Sequence, residues 1–326
     1  MPELVPIMRH HLQVAPAGFL RGDSVEVRSE AEIAATLDAN GELDGLPFMP
    51  EMAAHCGNRY RIYRRADKTC VEGLGLRRLS STVFLEEVRC DGAAHDGCQR
   101  GCLMFWKEAW VKPVLAKNET VASAADQFGT KAPSAFVRSL ATRDGDLYLC
   151  QSTALAGATQ PIASWNPNHL VREIRNGELS AGGFIQIVAR VLVNKLRGLF
   201  GLNELGGLAG AKKRNAKGNL GLVAGERVVI KSPEAIAATL DPNGRNAGLT
   251  FDPDMHGWLE KPYEVERPIE RIILEETGKM ATLTHTVALK GVNCRGLCSK
   301  NCPRNNPVFW REAWLQRPDG DPQAAS

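Results

Sequence analysis

The chain has 326 residues, 44% of them hydrophobic and 24% charged, with a formal net charge of +3 at pH 7. That length allows two or three domains, and that composition excludes a disordered or collagen-like chain. No uncharged run long enough to span a bilayer as a helix occurs, so no spanning helix is expected.

The opening MPELVPIMRHHLQVAP lacks the continuous apolar core of a secretory signal, and a cytoplasmic location is expected. The chain then repeats itself. Residues 22–41 read GDSVEVRSEAEIAATLDANG, and residues 225–244 read GERVVIKSPEAIAATLDPNG. Each copy passes through a Gly-Leu-x-Phe stretch at Gly45–Phe48 and Gly248–Phe251. Each reaches a cysteine cluster and closes on an aromatic block, Phe105–Trp110 and Phe309–Trp314. Such a match predicts two similar domains. The expected boundaries are 18–113 for repeat one, 114–221 for an insert and 222–318 for repeat two.

Within repeat one, Ser24–Arg28 alternates with the period of a half-buried strand. Ser29 with Glu32 three residues on has the form of a capping box, so a short helix follows, stopped by Asn40 and Gly41. Ser232 and Pro233 make the same start in repeat two. Further strands are expected at Tyr60–Tyr63 and Val83–Glu86, with counterparts at Tyr263–Val265 and Val287–Leu289. The turn at Gly22 or Gly225, leading into Val25–Val27 or Val228–Ile230, resembles the opening of SH3-like small barrels of the KOW type. The resemblance covers Gly22–Val27 and Gly225–Ile230. It implies a small barrel in each repeat and no particular activity. The expected fold class is therefore α+β: two similar β-rich, SH3-like repeats with short helices, joined by a helical insert.

The nine cysteines are the main chemical lead. Alignment on the aromatic block sets Cys90 against Cys294 and Cys98 against Cys302. Cys102 then faces Asn306, and Cys298 faces Ala94. Clustered cysteines in a cytosolic chain are more often metal ligands or redox groups than a disulfide framework. Zn²⁺ takes four soft or borderline ligands, and a loop rich in glycine lets several thiolates converge. Two zinc sites are expected, one at Cys90, Cys98 and Cys102 and one at Cys294, Cys298 and Cys302. His95, Cys70 or Cys56 is the candidate fourth ligand in repeat one, and His285 in repeat two. An iron–sulfur cluster is a lesser alternative, since these spacings match no common cluster motif. Disulfides or inert thiols are the remaining alternatives. Cys150, alone in the insert, reads as a thiol that fills core.

The aromatic blocks read as core packing, with Glu108 and Glu312 as salt-bridge partners of Lys107 and Arg311. Gln151–Thr153 reads as a turn. No Ser-His-Asp arrangement with a recognisable elbow, dinucleotide fingerprint or P-loop is visible. In the insert, Asp146–Cys150 reads as a strand, Asn168–Gly177 as a short helix and residues 183–202 as one strongly apolar helix. That last helix is expected as a buried strut between the repeats. The alternative is an interfacial helix lying on a membrane. Between Ala181 and Leu222 stand seven basic residues against one acid. Lys212, Lys213 and Arg214 are thus the expected contact to nucleic acid or an anionic membrane, should there be one.

Taken together, the residues predict a zinc-binding tandem-repeat protein acting as a binding or assembly module, with a protein as its expected partner. A metalloenzyme or redox protein working through repeat one is the alternative, because His55, Cys56, Cys70 and His95 occur in that copy alone. Nucleic-acid binding is the third.

Overall fold

The computed structural model describes residues 18–114, 133–162, 167–211, 218–297 and 300–318. Alternation in Ser24–Val27 turns Val25 and Val27 inward, where both are fully buried. This strand lies inside a five-stranded antiparallel sheet. The order across that sheet is Leu103–Lys107, Thr82–Arg89, Arg59–Arg65, Ser24–Val27, Val111–Pro113. Repeat two has the same order: Pro307–Arg311, Thr286–Asn293, Pro262–Pro268, Arg227–Ile230, Leu315–Gln316. Even the breaks in register correspond. They fall between Ile62 and Arg64 and between Val265 and Arg267, then between Phe84 and Arg89 and between Ala288 and Asn293. Such breaks bend a strand and raise its local twist, and both sheets curl into half-barrels.

The short helices form where the caps place them. Ser29 Oγ accepts from the Glu32 amide while a Glu32 carboxylate oxygen accepts from the Ser29 amide, and Glu30–Ala34 is helical. Ser232 Oγ accepts from the Ala235 amide and so caps Pro233–Ala237, without the reciprocal carboxylate. The aromatic blocks are core. Trp106, Trp110, Trp310 and Trp314 are fully buried, each block running from a strand into a tight 3₁₀ turn. Trp110 Nε1 donates to Thr36 Oγ1 at 3.0 Å, and Trp314 Nε1 to Thr239 Oγ1 at 2.9 Å. The acids of the blocks find other partners than expected. Glu108 pairs with Arg65 at 2.6 Å, and Glu312 accepts from the amides of Leu220, Gly221 and Leu222.

The insert is not an independent connector. Phe136 of helix Ala135–Ser139, Leu140 just after it, and Leu155 and Ala158 of helix Gln151–Ala158 pack on the core of repeat one. Gln160–Pro161 then adds a strand to the hairpin Lys68–Val71/Gly75–Arg78. Gln151–Thr153, expected as a turn, is the first turn of a helix, and the expected strand before it shrinks to Leu147–Tyr148. Helices Asn168–Arg175 and Ala181–Leu199 complete the insert.

The long helix is present but is no buried strut. Ile187 is buried, yet Leu192 and Leu196 are each 57% exposed. The reason is local. The side turned to the molecule carries Arg190, Asn194 and Arg197, which bond to the segment Asn203–Leu205, so the apolar side points outward.

Candidate functional site

The two repeats meet through their cysteine loops, and they meet reciprocally. Cys98 Sγ accepts from the Ile273 amide at 3.3 Å, and Cys302 Sγ accepts from the Cys70 amide at 3.2 Å. Arg100 Nη1 donates to the Ile273 carbonyl at 3.0 Å, and Arg304 Nη1 to the Cys70 carbonyl at 2.9 Å. Cys70 and Ile273 are equivalent positions, as are Arg100 and Arg304. The same surface is therefore used twice, as in the isologous contact of a symmetric dimer.

Each loop is tight for the same reason. Gly92 has φ 72°, and a Cβ there would lie 2.2 Å from the Cys98 carbonyl oxygen. Gly296 has φ 70°, and its Cβ would lie 2.3 Å from the Cys302 carbonyl oxygen. Only glycine lets each loop fold back on itself in this way. An acid from the preceding 3₁₀ turn braces each loop. Glu51 accepts from the Ala94 amide at 3.1 Å, and Asp254 accepts from the Arg295 amide. Neither acid is among the expected site residues. A signal existed: both follow proline, at Pro50–Glu51 and Pro253–Asp254, in both copies.

A buried ionic network closes the interface. Arg304 pairs with Glu275 at 2.7 Å, with side-chain exposures of 5% and 1%. Ser152 Oγ donates to Glu275 at 2.7 Å, and Arg304 Nη2 donates to Ser152 Oγ at 2.9 Å. The Glu72 amide donates to Glu275 at 3.0 Å, and Arg100 pairs with Glu72. Burial by itself would raise the Glu275 carboxyl, but the Arg304 charge and hydrogen bond outweigh it and hold it below its ordinary value.

Beside this network lies a cavity of about 30 Å³, walled by Cys90, Cys98, Cys102 and Cys150 together with Met49, Met104, Phe105 and Ile273. Its polar wall is Arg100, Gln151, Ser152 and Arg304. The space suits one or two waters or an ion, and is far smaller than the pockets that bind organic ligands. Cys150 was expected as inert core. It caps helix Gln151–Ala158, which repeat one's core holds against the cysteine loop, and it supplies a fourth thiol. No spacing rule links it to Cys102, so sequence carried no signal for it.

Burial raises the thiols of Cys90, Cys98 and Cys150, the last to about 11, and the neighbouring Cys102 adds to each. Thiols of this kind are poor nucleophiles at neutral pH. His95 also borders the cavity, but both ring nitrogens are taken. Nδ1 lies 2.6 Å from Glu51 and Nε2 lies 2.9 Å from the Leu149 carbonyl. His95 is thus a brace of the loop, and its expected role as fourth ligand falls away while those bonds hold. Cys56 packs against the core of repeat one and is pushed up to about 12 by burial, and His55 shares a 2.6 Å hydrogen bond with Tyr60 Oη. Neither lines the cavity.

Cys70 does not turn to Cys90, Cys98 and Cys102 either. It meets Cys302 across the interface, and hydrogen bonding by Cys70 holds the Cys302 thiol below its ordinary value despite its burial. In repeat two, Cys294 Sγ accepts from the Gly296 amide at 3.4 Å. His285 stands beside Glu312 at 3.7 Å. Cys298 lies outside the described residues, as do Lys212, Lys213 and Arg214. The eight described cysteines are all free thiols. Among the described residues, no group of three or more Cys, His, Asp or Glu side chains stands ready to hold a metal ion.

No protein-family model, curated protein or solved structure matches this chain.

Proposed function

We propose that the protein is a metal-binding assembly module of the cytoplasm, in which two SH3-like repeats close around one soft-metal site made by Cys90, Cys98, Cys102 and Cys150. The observation that carries this reading is the fourth thiol: Cys150 brings to one ion-sized cavity the number of ligands that a structural zinc site needs. Two zinc sites were expected from the sequence, and the reading now rests on one. Repeat two has Asn306 opposite Cys102, and its Cys302 faces Cys70 instead.

Binding requires side chains to move, because no three of these ligands stand gathered for an ion. Cys98 would give up its bond from the Ile273 amide, and the raised thiols would release protons as the ion enters. Affinity should therefore climb with pH. The ion would supply no reaction; it would tie the cysteine loop of repeat one to the insert, beside the ionic network that joins repeat two.

Metal content of the purified full-length chain tests the reading. One zinc per chain is expected, lost in Cys102→Ser/Cys150→Ser and retained in Cys56→Ser, since Cys56 lies away from the cavity. A chain purified and refilled with zinc that retains none, or a double variant that retains as much as the wild type, contradicts it.

A redox reading has one observation of its own, the Cys70–Cys302 contact with its acidified Cys302 thiol. On that reading a thiol oxidant such as hydrogen peroxide would take two electrons and two protons from the pair and leave a bond between the repeats. Peptide mapping after peroxide treatment checks it: a Cys70–Cys302 crosslink supports redox chemistry, and two unmodified thiols refute it.

A further inference from the structure

We propose that the exposed face of helix Ala181–Leu199 is a docking surface for an anionic lipid bilayer. Ile185, Val188, Leu192, Leu196 and Leu199 recur every three or four residues and so form one stripe along the helix. They are 66%, 39%, 57%, 57% and 82% exposed, and Phe200 just beyond is 77% exposed. From Ile185 to Leu199 the stripe is roughly 21 Å long, and it lies along the surface.

The other side of the helix bonds to the segment that follows it. Arg190 donates to the Leu205 carbonyl at 2.6 Å, Asn194 accepts from the Leu205 amide at 2.9 Å, and Arg197 donates to the Asn203 carbonyl at 2.6 Å. The neighbouring helix is anchored by Glu173, which accepts from buried Lys68 at 2.8 Å and from Asn301 at 2.9 Å. Arg190, Asn194 and Arg197 share the inward side with buried Ile187, while the larger apolar stripe faces water. In an ordinary surface helix the reverse holds.

Charge selects the occupant. Along 167–205 the exposed charges are Arg172, Arg175 and Lys195 against one acid, Glu204. Arg172 also lies 3.8 Å from Asp67. The other two acids of the stretch are withdrawn: Glu173 is buried, and half-buried Glu178 accepts from the Arg65 amide at 2.6 Å. A second copy would set cations against cations. Anionic headgroups over an acyl layer match both the charge and the stripe. No helix among the described residues is long and apolar enough to cross a membrane, so the helix would lie in the interface.

The test is sedimentation of the full-length protein with vesicles of phosphatidylcholine, alone or mixed with phosphatidylserine, at low and high salt. The variants are Leu192→Asp/Leu196→Asp and Arg175→Glu/Lys195→Glu. Their thermal melts should match the wild type, because the changed side chains are exposed. Binding to the mixed vesicles is expected, weakened by salt and reduced roughly ten-fold or more in each variant. Absence of binding, equal binding to phosphatidylcholine alone, or binding that either folded variant retains in full overturns the proposal. A wild-type dimer that Leu192→Asp/Leu196→Asp dissolves, without vesicle binding, assigns the stripe to a second copy and overturns it too.

Discussion

The imidazole of His95 is held between the Glu51 carboxylate and the Leu149 carbonyl, at 2.6 and 2.9 Å. Burial would lower its pKa, but the Glu51 hydrogen bond and charge, with the Leu149 carbonyl, raise it above its ordinary 6.5. Burial would raise Glu51, and His95 reverses that, so the carboxyl ends below its ordinary 4.5. The signs give a window. A raised His contributes stability that is full below about 6.5 and is lost as pH rises through its folded value. A lowered Glu contributes stability that is present above about 4.5 and is lost as pH falls through its folded value. The pair therefore supports the loop best between those limits. Urea unfolding of the wild type should show stability declining from pH 6.5 upward, and His95→Gln should remove that slope. Removing one partner of such a pair costs about 3–5 kcal/mol inside the window. An unchanged slope in His95→Gln would show that the decline comes from elsewhere. At this scale the sequence marked His95 as special but not its role. A histidine among cysteines reads as a ligand, and only its two buried hydrogen bonds show that it is a brace. Glu51 was legible in retrospect, through its place after proline in both copies. Cys150 was not legible at all, because contact across nearly fifty residues leaves no local pattern.

Among the elements, strands and short helices followed their local signals closely. Val25 and Val27, the Ser29–Glu32 capping box and Ser232–Pro233 all lie where alternation and capping place them. The insert was harder, since helix Gln151–Ala158 has almost no amphipathic contrast and is fixed by what it meets. Its Gln151 side chain bonds to both the amide and the carbonyl of Phe105, at 2.8 Å each. The long helix was found at nearly its right length but was expected buried, because an apolar stripe shows its periodicity and not its partner. Two substitutions separate the cases by thermal melting. Leu192→Asp, on the exposed face, should change stability by no more than about 0.5 kcal/mol. Leu155→Asp, at a fully buried position, should cost several kcal/mol, since the carboxylate gains no partner there. Comparable losses in both would return the long helix to the role of a buried strut.

Across the whole molecule, the duplication dictates more than two similar sheets. It lets the two copies use one surface reciprocally, with Cys98 on Ile273 and Cys302 on Cys70. The repeat was plain in the sequence, but docking was not, because the equivalence of Cys70 and Ile273 is one of position and not of residue type: what both offer is a backbone amide and carbonyl. The Glu275–Arg304 pair of repeat two bonds to Ser152 of the insert and to the Glu72 amide and Cys70 carbonyl of repeat one, which makes the repeats depend on each other. Glu275→Ala leaves the Arg304 guanidinium buried without its carboxylate and should cost about 3–5 kcal/mol by chemical denaturation. Glu275, with its depressed pKa, contributes stability that is present above about 4.5 and lost on further acidification, so the variant should resist acid differently from the wild type only below that value. A loss within about 0.5 kcal/mol would mean that the network is neutral and the repeats are held otherwise.

The measurement that reaches furthest is X-ray absorption at the zinc edge on the zinc-loaded full-length protein, beside Cys150→Ser. Four sulfur neighbours at about 2.3 Å, falling to three in the variant, are the result expected if Cys90, Cys98, Cys102 and Cys150 share one ion. A first shell of nitrogen and oxygen, or a sulfur count that Cys150→Ser leaves unchanged, would contradict it.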